Sequence, residues 1–113
     1  MDLTAEIREC LEAYASDTKP PRDVERAAVK QVLALLTAAA PGRSVELRIP
    51  PYAAIQLVEG TNHRRGTPSA VVETSARTLV QLAVGEVDWA SSVRNATVIA
   101  SGERSDLSPL FPC

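Results

Sequence analysis

The residue types that carry out most enzymatic chemistry are sparse in this sequence. His63 is its only imidazole, and it stands in the polar segment His63-Arg64-Arg65-Gly66-Thr67-Pro68. Thr67 and Ser69 lie nearby along the chain, but neither stands in the Gly-x-Ser-x-Gly turn that exposes a serine nucleophile. Cys10 lies near glutamates on a predicted helix, and negative neighbours raise the pKa of a thiol. We therefore predict that the chain has no catalytic residues and is not an enzyme.

The sequence does not indicate a metal or cofactor site either. Glu59, His63 and Glu73 are the side chains whose approach would make a ligand set. Their spacing matches no standard metal motif, and one imidazole with two carboxylates is a thin ligand set. We predict no bound metal and no cofactor.

The polar segment around His63 suggests a binding role instead. An arginine with exposed loop amides suits a carboxylate or a phosphate, so His63 and Arg65 are candidate contacts for the headgroup of a ligand. Two structural alternatives remain open. The segment is then either a solvated connection whose arginines pair with Glu59 or Glu73, or a loop that packs on the helices and fixes how they meet the sheet.

Length and charge limit the remaining classes of protein. The 113 residues suffice for one hydrophobic core, so we predict a single domain over residues 1–113. The net charge is −2 with both signs interspersed, and a nucleic-acid partner is not expected. No apolar run approaches the roughly 18 residues of a membrane span. The first residues are acidic, and Cys10 and Cys113 make no disulfide framework. A cytoplasmic protein without stable membrane insertion is predicted.

Residues 1–40 predict a pair of helices. One apolar stripe at helical spacing defines the first helix and consists of Leu3, Ile7, Leu11 and Tyr14. Pro20-Pro21 cannot continue that helix, so the chain breaks there. Asp23 is the predicted N-cap of the second helix, which ends at Pro41-Gly42.

Two strands follow the helix pair. Residues 45–49 alternate strictly between apolar and polar, which is typical of a strand with one buried face. Pro50-Pro51 interrupts the pattern, and residues 53–59 then carry apolar side chains on both faces. We therefore predict a central position for this second strand, with residues 60–69 forming a loop after it.

The stretch from Val71 to Phe111 has a characteristic order of elements. It reads as a strand over residues 71–73, a helix from Thr74-Ser75 to Gly85, a short helix from Asp88 to Asn95, a strand over residues 97–101 and a last helical turn from Ser105-Asp106. Together with the first half, this predicts an α+β fold. Its sheet is mainly antiparallel with about four strands, and helices cover one face.

This order resembles the C-terminal half of the sterol carrier protein 2 (SCP2) family, with Leu82-Ala83-Val84-Gly85 matching a Leu-Ala-x-Gly phrase. The chain is more closely similar to small bacterial orthologues of actinobacterial type. They share phrases like Pro50-Pro51-Tyr52, Val58-Glu59-Gly60, His63, Arg65-Gly66-Thr67-Pro68 and Val71-Val72-Glu73-Thr74. The resemblance covers roughly residues 43–111 and implies an SCP2-like, mainly antiparallel sheet of about five strands with helices packed on one face. It also implies an apolar tunnel between sheet and helices.

Seven apolar residues are candidates for lining a ligand pocket: Leu79, Leu82, Trp89, Val93, Leu107, Leu110 and Phe111. The alternative is that they fill the core, as apolar residues at helical spacing commonly do. In the family resembled, the last helix lies at the mouth of the tunnel. The resemblance therefore places Leu107, Leu110 and Phe111 nearest to any ligand.

The resemblance implies a non-catalytic, lipid-carrier type of protein that binds an apolar small molecule such as a fatty acyl chain. The alternative is an interaction module without a ligand, related to the C-terminal domain of thiol-dependent isomerases. Such a module would act in trans, or as a homodimer through a sheet edge or the N-terminal helices. A third alternative is an enzyme that uses His63.

Overall fold

Four helices and four strands make up the described part of the chain, which is residues 1–60 and 70–113 of a computed structural model. The helices are α1 (Ala5–Ala15), α2 (Arg22–Ala39), α3 (Ala76–Val84) and α4 (Trp89–Arg94). The strands are β1 (Val45–Ile49), β2 (Ala53–Leu57), β3 (Ala70–Thr74) and β4 (Val98–Gly102). A single 3-10 turn, Ser108–Leu110, stands where a last helical turn is predicted. The predicted α+β class is confirmed.

The sheet has the order β2-β1-β3-β4 and is mixed. Antiparallel pairs join β1 to β2 and β3 to β4, whereas β1 and β3 are parallel. Val45 of β1 pairs with Leu57 on one side and with Ala70 on the other. Val45 is the first residue of β1, and its partner Ala70 is the first residue of β3. Both strands therefore start at the same end of the sheet and run in the same direction. Within the described residues the sheet therefore has four strands rather than about five, and it is not purely antiparallel.

The predicted central position of β2 is wrong, because β2 is an edge strand. Ile55 and Leu57 face the core side, but Ala54 on the opposite side is exposed. Val58, which completes the apolar pattern, already has a left-handed φ of 69° and stands beyond the strand. A small exposed alanine and a residue outside the strand thus gave the appearance of a second buried face.

One face of the sheet carries the core. Val45, Leu47 and Ile49 of β1 are buried, whereas Arg48 between them is exposed. The same alternation holds in β3, where Val72 is fully buried. Helices α1, α2 and α3 pack on one another and supply further buried side chains to the same core. Helix α4 packs beside β4.

Local capping interactions set the bounds of three helices. The hydroxyl groups of Thr4 and Ser75 accept the Ile7 and Thr78 N–H groups at the starts of α1 and α3, and the Asp88 carboxylate accepts the Ser91 N–H at the start of α4. Helix α3 ends at Gly85, whose φ of 83° is left-handed.

The start of α2 differs from the prediction. The helix begins at Arg22 behind Pro21, so Asp23 lies in its first turn and is not the N-cap. Proline favours the start of a helix because its ring fixes φ and its missing N–H has no partner to lose there. No helix in the described residues is both long and apolar enough to cross a membrane.

Candidate ligand-binding site

The candidate pocket residues divide into a buried set and a set near the surface. Leu79 and Leu82 on α3 and Leu107 after β4 are almost fully buried, with no more than 1% of each exposed. They belong to the continuous core between the helices and the sheet. Trp89, Leu110 and Phe111 are half-buried, and Val93 is 40% exposed. The structure therefore does not bring all seven side chains together around one opening.

Trp89 and Phe111 line a surface depression. Their rings stack with centroids 6.1 Å apart and planes 12° from parallel. A depression of about 390 Å³ lies against them and is also lined by Gly85, Val87 and Pro112. We call it the C-terminal depression.

The backbone turn after α3 and the contact of the last residues with the end of α3 shape this depression. Gly85 turns the chain out of the helix, and the Asp88 cap then places Trp89 at the first position of α4. The Cys113 N–H donates to the Ala83 carbonyl at 2.9 Å, which fixes the last residues against the end of α3. Hydrogen bonds from the Ser91 backbone and hydroxyl hold the pKa of Asp88 below its usual range. The carboxylate at this rim is thus already engaged in capping α4.

A second concavity lies at the other end of α3, and the sequence reasoning missed it. We call it the tyrosine groove. It has a volume of about 690 Å³ and is lined by the α1–α2 connection, the turn between β1 and β2 and the first residues of α3. Glu25 of α2 accepts hydrogen bonds from the Tyr14 hydroxyl at 2.5 Å and the Tyr52 hydroxyl at 2.7 Å.

The pKa values of both tyrosines in the groove are raised. Burial, with the hydrogen bond to Glu25 second, raises the pKa of Tyr52 to about 12. The same causes raise the pKa of Tyr14 further. Burial also raises the pKa of the Cys10 thiol, with Glu25, Glu9 and Glu6 adding to it. The predicted direction for Cys10 is therefore confirmed.

A signal for the tyrosine cluster was present in the sequence. A buried tyrosine usually needs a hydrogen-bond partner for its hydroxyl, and Tyr14 falls on the apolar stripe of α1. The pattern did not show that the partner would be Glu25 on the next helix.

The candidate headgroup contacts His63 and Arg65 lie outside the described residues. Their role stays a prediction. Among residues 1–60 and 70–113, no three His, Cys, Asp or Glu side chains come together in a group that could hold a metal ion.

Comparison with known proteins identifies the family. No curated protein matches the chain. A family model described as "Bacterial SCP ortholog" matches residues 21–113, which include every described element except α1. The resemblance to SCP2-like proteins is thus confirmed, and the chain belongs to the bacterial SCP ortholog family.

Proposed function

We propose that this protein is a non-catalytic carrier of the sterol-carrier type that binds an apolar small molecule, of the fatty acyl class, in the cytoplasm. The observation that carries the proposal is the family match over residues 21–113, since this family is named for a carrier protein. The proposal assigns no covalent chemistry to the chain.

The C-terminal depression is the proposed point of contact for the ligand. Among the described concavities it is the one that contains candidate pocket residues, Trp89 and Phe111. Its volume of about 390 Å³ lies within the range of roughly 300–1,000 Å³ that small-molecule sites occupy. Stacked aromatic rings offer a wide apolar surface for an acyl chain. Leu110 precedes Phe111 in the chain and packs against the core, and the proposal makes it the next contact of the acyl chain.

Binding of this kind makes a quantitative prediction. Burying one CH₂ group contributes about 0.8 kcal/mol, so affinity should rise about fourfold for each methylene added to a fatty acid until the site is filled. Trp89 is the only tryptophan in the chain, so its fluorescence reports directly on the proposed site. We expect a titration with saturated fatty acids of increasing length to change that fluorescence with steadily lower Kd values.

Variants separate this site from non-specific binding. Leu110→Asp and Phe111→Ala should weaken binding of the same fatty acid at least tenfold, since the first places a charge beside the chain and the second removes half of the stack. Leu35→Asp is the matched control, because Leu35 is 43% exposed on α2. The proposal fails if affinity does not depend on chain length, or if the control loses as much affinity as the two site variants.

Native mass spectrometry of freshly purified protein provides an independent measurement. We expect a discrete extra mass that organic extraction releases as a lipid. An apo mass together with no fatty acid binding would contradict the carrier proposal.

The second candidate function is a ligand-free interaction module. The observation that favours it is the sheet face opposite the helices, where Ile99 of edge strand β4 is 56% exposed. An exposed face beside an open strand edge is a surface on which another chain can pack. A dimer by light scattering, combined with no bound lipid, would favour this module over the carrier.

A further inference from the structure

The tyrosine groove and the C-terminal depression are separate sites. Ser75 and Arg77 at the start of α3 line the groove, whereas Gly85 at its end lines the depression. The nine residues of α3 span about 13 Å at 1.5 Å per residue. An inference about the groove therefore does not rest on the proposed carrier function.

The two carboxylates that line the groove, Asp17 and Glu25, already accept hydrogen bonds from other side chains. Asp17 accepts a hydrogen bond from the Arg77 guanidinium at 3.0 Å, and that guanidinium also lies 5.7 Å from the centroid of the Tyr14 ring. Each oxygen of Glu25 accepts one tyrosine hydroxyl. Arg77, Asp17 and Glu25 are thus held in contacts between neighbouring elements.

The two remaining charges of the groove are positive. Lys19 and Arg22 both line it and are exposed. Neither forms an ion pair with another residue of the described part of the chain, where Arg77 pairs with Asp17 and Arg48 with Glu46. Two cations without an ion pair beside a concave surface favour a ligand with negative charge.

The walls of the groove are suited to an apolar body. Pro20 is buried, and Pro50, Pro51 and the half-buried Tyr52 border the same space. Rigid proline rings and an aromatic ring lose little conformational entropy when they contact a ligand. Because Glu25 would repel a negative group, the charge of the ligand belongs near Lys19 and Arg22, with its apolar body toward the prolines.

We propose that the tyrosine groove is a second binding site that takes a small organic anion, with Lys19 and Arg22 holding the anionic group and Pro50, Pro51 and Tyr52 contacting a flat apolar body. A carboxylate and a phosphate monoester share this chemistry. The groove is too far from Trp89 for one small ligand of this kind to fill both sites.

Three probes with the same ring system test the proposal: naphthalene-2-carboxylate, its neutral counterpart naphthalene-2-carboxamide, and 2-naphthyl phosphate. Each is titrated into the ¹⁵N-labelled full chain at low salt and neutral pH. We expect the carboxylate to bind at least about fivefold more tightly than the amide, with backbone amide shifts at Thr18, Ser75 and Arg77. The phosphate arm distinguishes the two sources, since tighter binding of the phosphate assigns a phosphate ligand and weaker binding assigns a carboxylate.

A charge-matched pair of double variants completes the test. Lys19→Gln with Arg22→Gln should weaken carboxylate binding about five- to tenfold and leave binding of the amide unchanged. Arg8→Gln with Lys30→Gln removes the same charge from exposed positions outside the groove and should leave both affinities unchanged. All four positions are exposed, so the variants should fold, and a thermal melt checks this.

Three results would overturn the inference: equal affinity for carboxylate and amide, equal losses in the two double variants, or shifts confined to Gly85 and Trp89. The carrier proposal would survive each of them, because it depends on acyl length and on Leu110 and Phe111.

Discussion

Glu25 connects three parts of the chain through two hydrogen bonds. It stands on α2, and its partners Tyr14 and Tyr52 stand on α1 and in the turn between β1 and β2. A hydrogen bond to a charged group contributes about 1.5–3 kcal/mol, more than one between neutral groups. The contact therefore ties the first helix to the second and the second helix to the edge of the sheet.

The burial of the two tyrosines, together with their hydrogen bonds to Glu25, predicts a loss of stability at alkaline pH. The pKa of Tyr52 is raised to about 12 and that of Tyr14 is raised further, whereas an unfolded tyrosine titrates near 10. Between about pH 10 and pH 12 the folded protein keeps protons that the unfolded chain has lost. The stabilisation is thus fully present below pH 10 and declines as pH rises toward 12.

Tyrosinate absorbance at 295 nm measures this directly, because Tyr14 and Tyr52 are the only tyrosines. We expect the folded protein to develop this absorbance well above pH 10 and the urea-unfolded protein to develop it near 10. The urea midpoint should be flat below pH 9 and fall above pH 10, and Tyr52→Phe should reduce that fall. A folded-state midpoint near pH 10 would show that the hydroxyl groups are neither buried nor held by Glu25.

At the residue scale, the sequence indicated the chemical character of single side chains better than it indicated which side chains they contact. The raised pKa of Cys10 followed from neighbouring glutamates, but its largest cause is burial, which depends on the packing of α1. The tyrosine groove could not be predicted from spacing, since its lining comes from three segments far apart in the chain. Trp89 and Phe111 were both selected as apolar, yet their stacking depends on the turn that follows Gly85.

At the scale of elements, local signals were sufficient where capping decides the boundary. The predicted stop of α3 at Gly85 and the predicted span of α4 between Asp88 and Asn95 agree with the structure. Side-chain caps and a left-handed glycine act within three or four residues, so the sequence alone contains them. Sheet order is different, because the pairing of β1 with β3 joins residues 25 positions apart. The apolar pattern of β2 predicted a central strand, and it contained no sign that β3 would pair with β1 and leave β2 at the edge.

Gly85 allows a direct test of such a local signal. Its φ of 83° is unfavourable for a residue with a Cβ atom, while a Cβ added at this position would meet Pro112 only at an ordinary 3.7 Å. Gly85→Ala should therefore reduce the free energy of unfolding by about 1 kcal/mol through backbone strain alone. Gly85→Asn should cost less, because asparagine tolerates the left-handed region better than alanine.

Urea denaturation of the two Gly85 variants at one pH measures both effects. Equal losses for alanine and asparagine would mean that steric contact rather than backbone conformation sets the cost. The result would then also question how closely Pro112 approaches the end of α3.

At the scale of the whole molecule, the fold is a sheet with one face toward the helices. Val71 and Val72 are adjacent on β3, but Val72 is fully buried toward the helices and Val71 is only half-buried on the other face. Glu46 and Ser101 stand beside Val71 in the neighbouring strands. Substitutions at Val71 and Val72 therefore allow the stability contributions of the two faces of the sheet to be compared within one strand.

Alanine at each position removes the same two methyl groups and the same β-propensity, so the difference between the variants reports burial. We expect Val72→Ala to reduce the free energy of unfolding by about 2–3 kcal/mol, from lost burial and a cavity, and Val71→Ala by less than about 1 kcal/mol. Urea denaturation at several protein concentrations measures both. A large, concentration-dependent cost at Val71 would mean that another chain covers this face in solution, and it would favour the interaction module over a monomeric carrier.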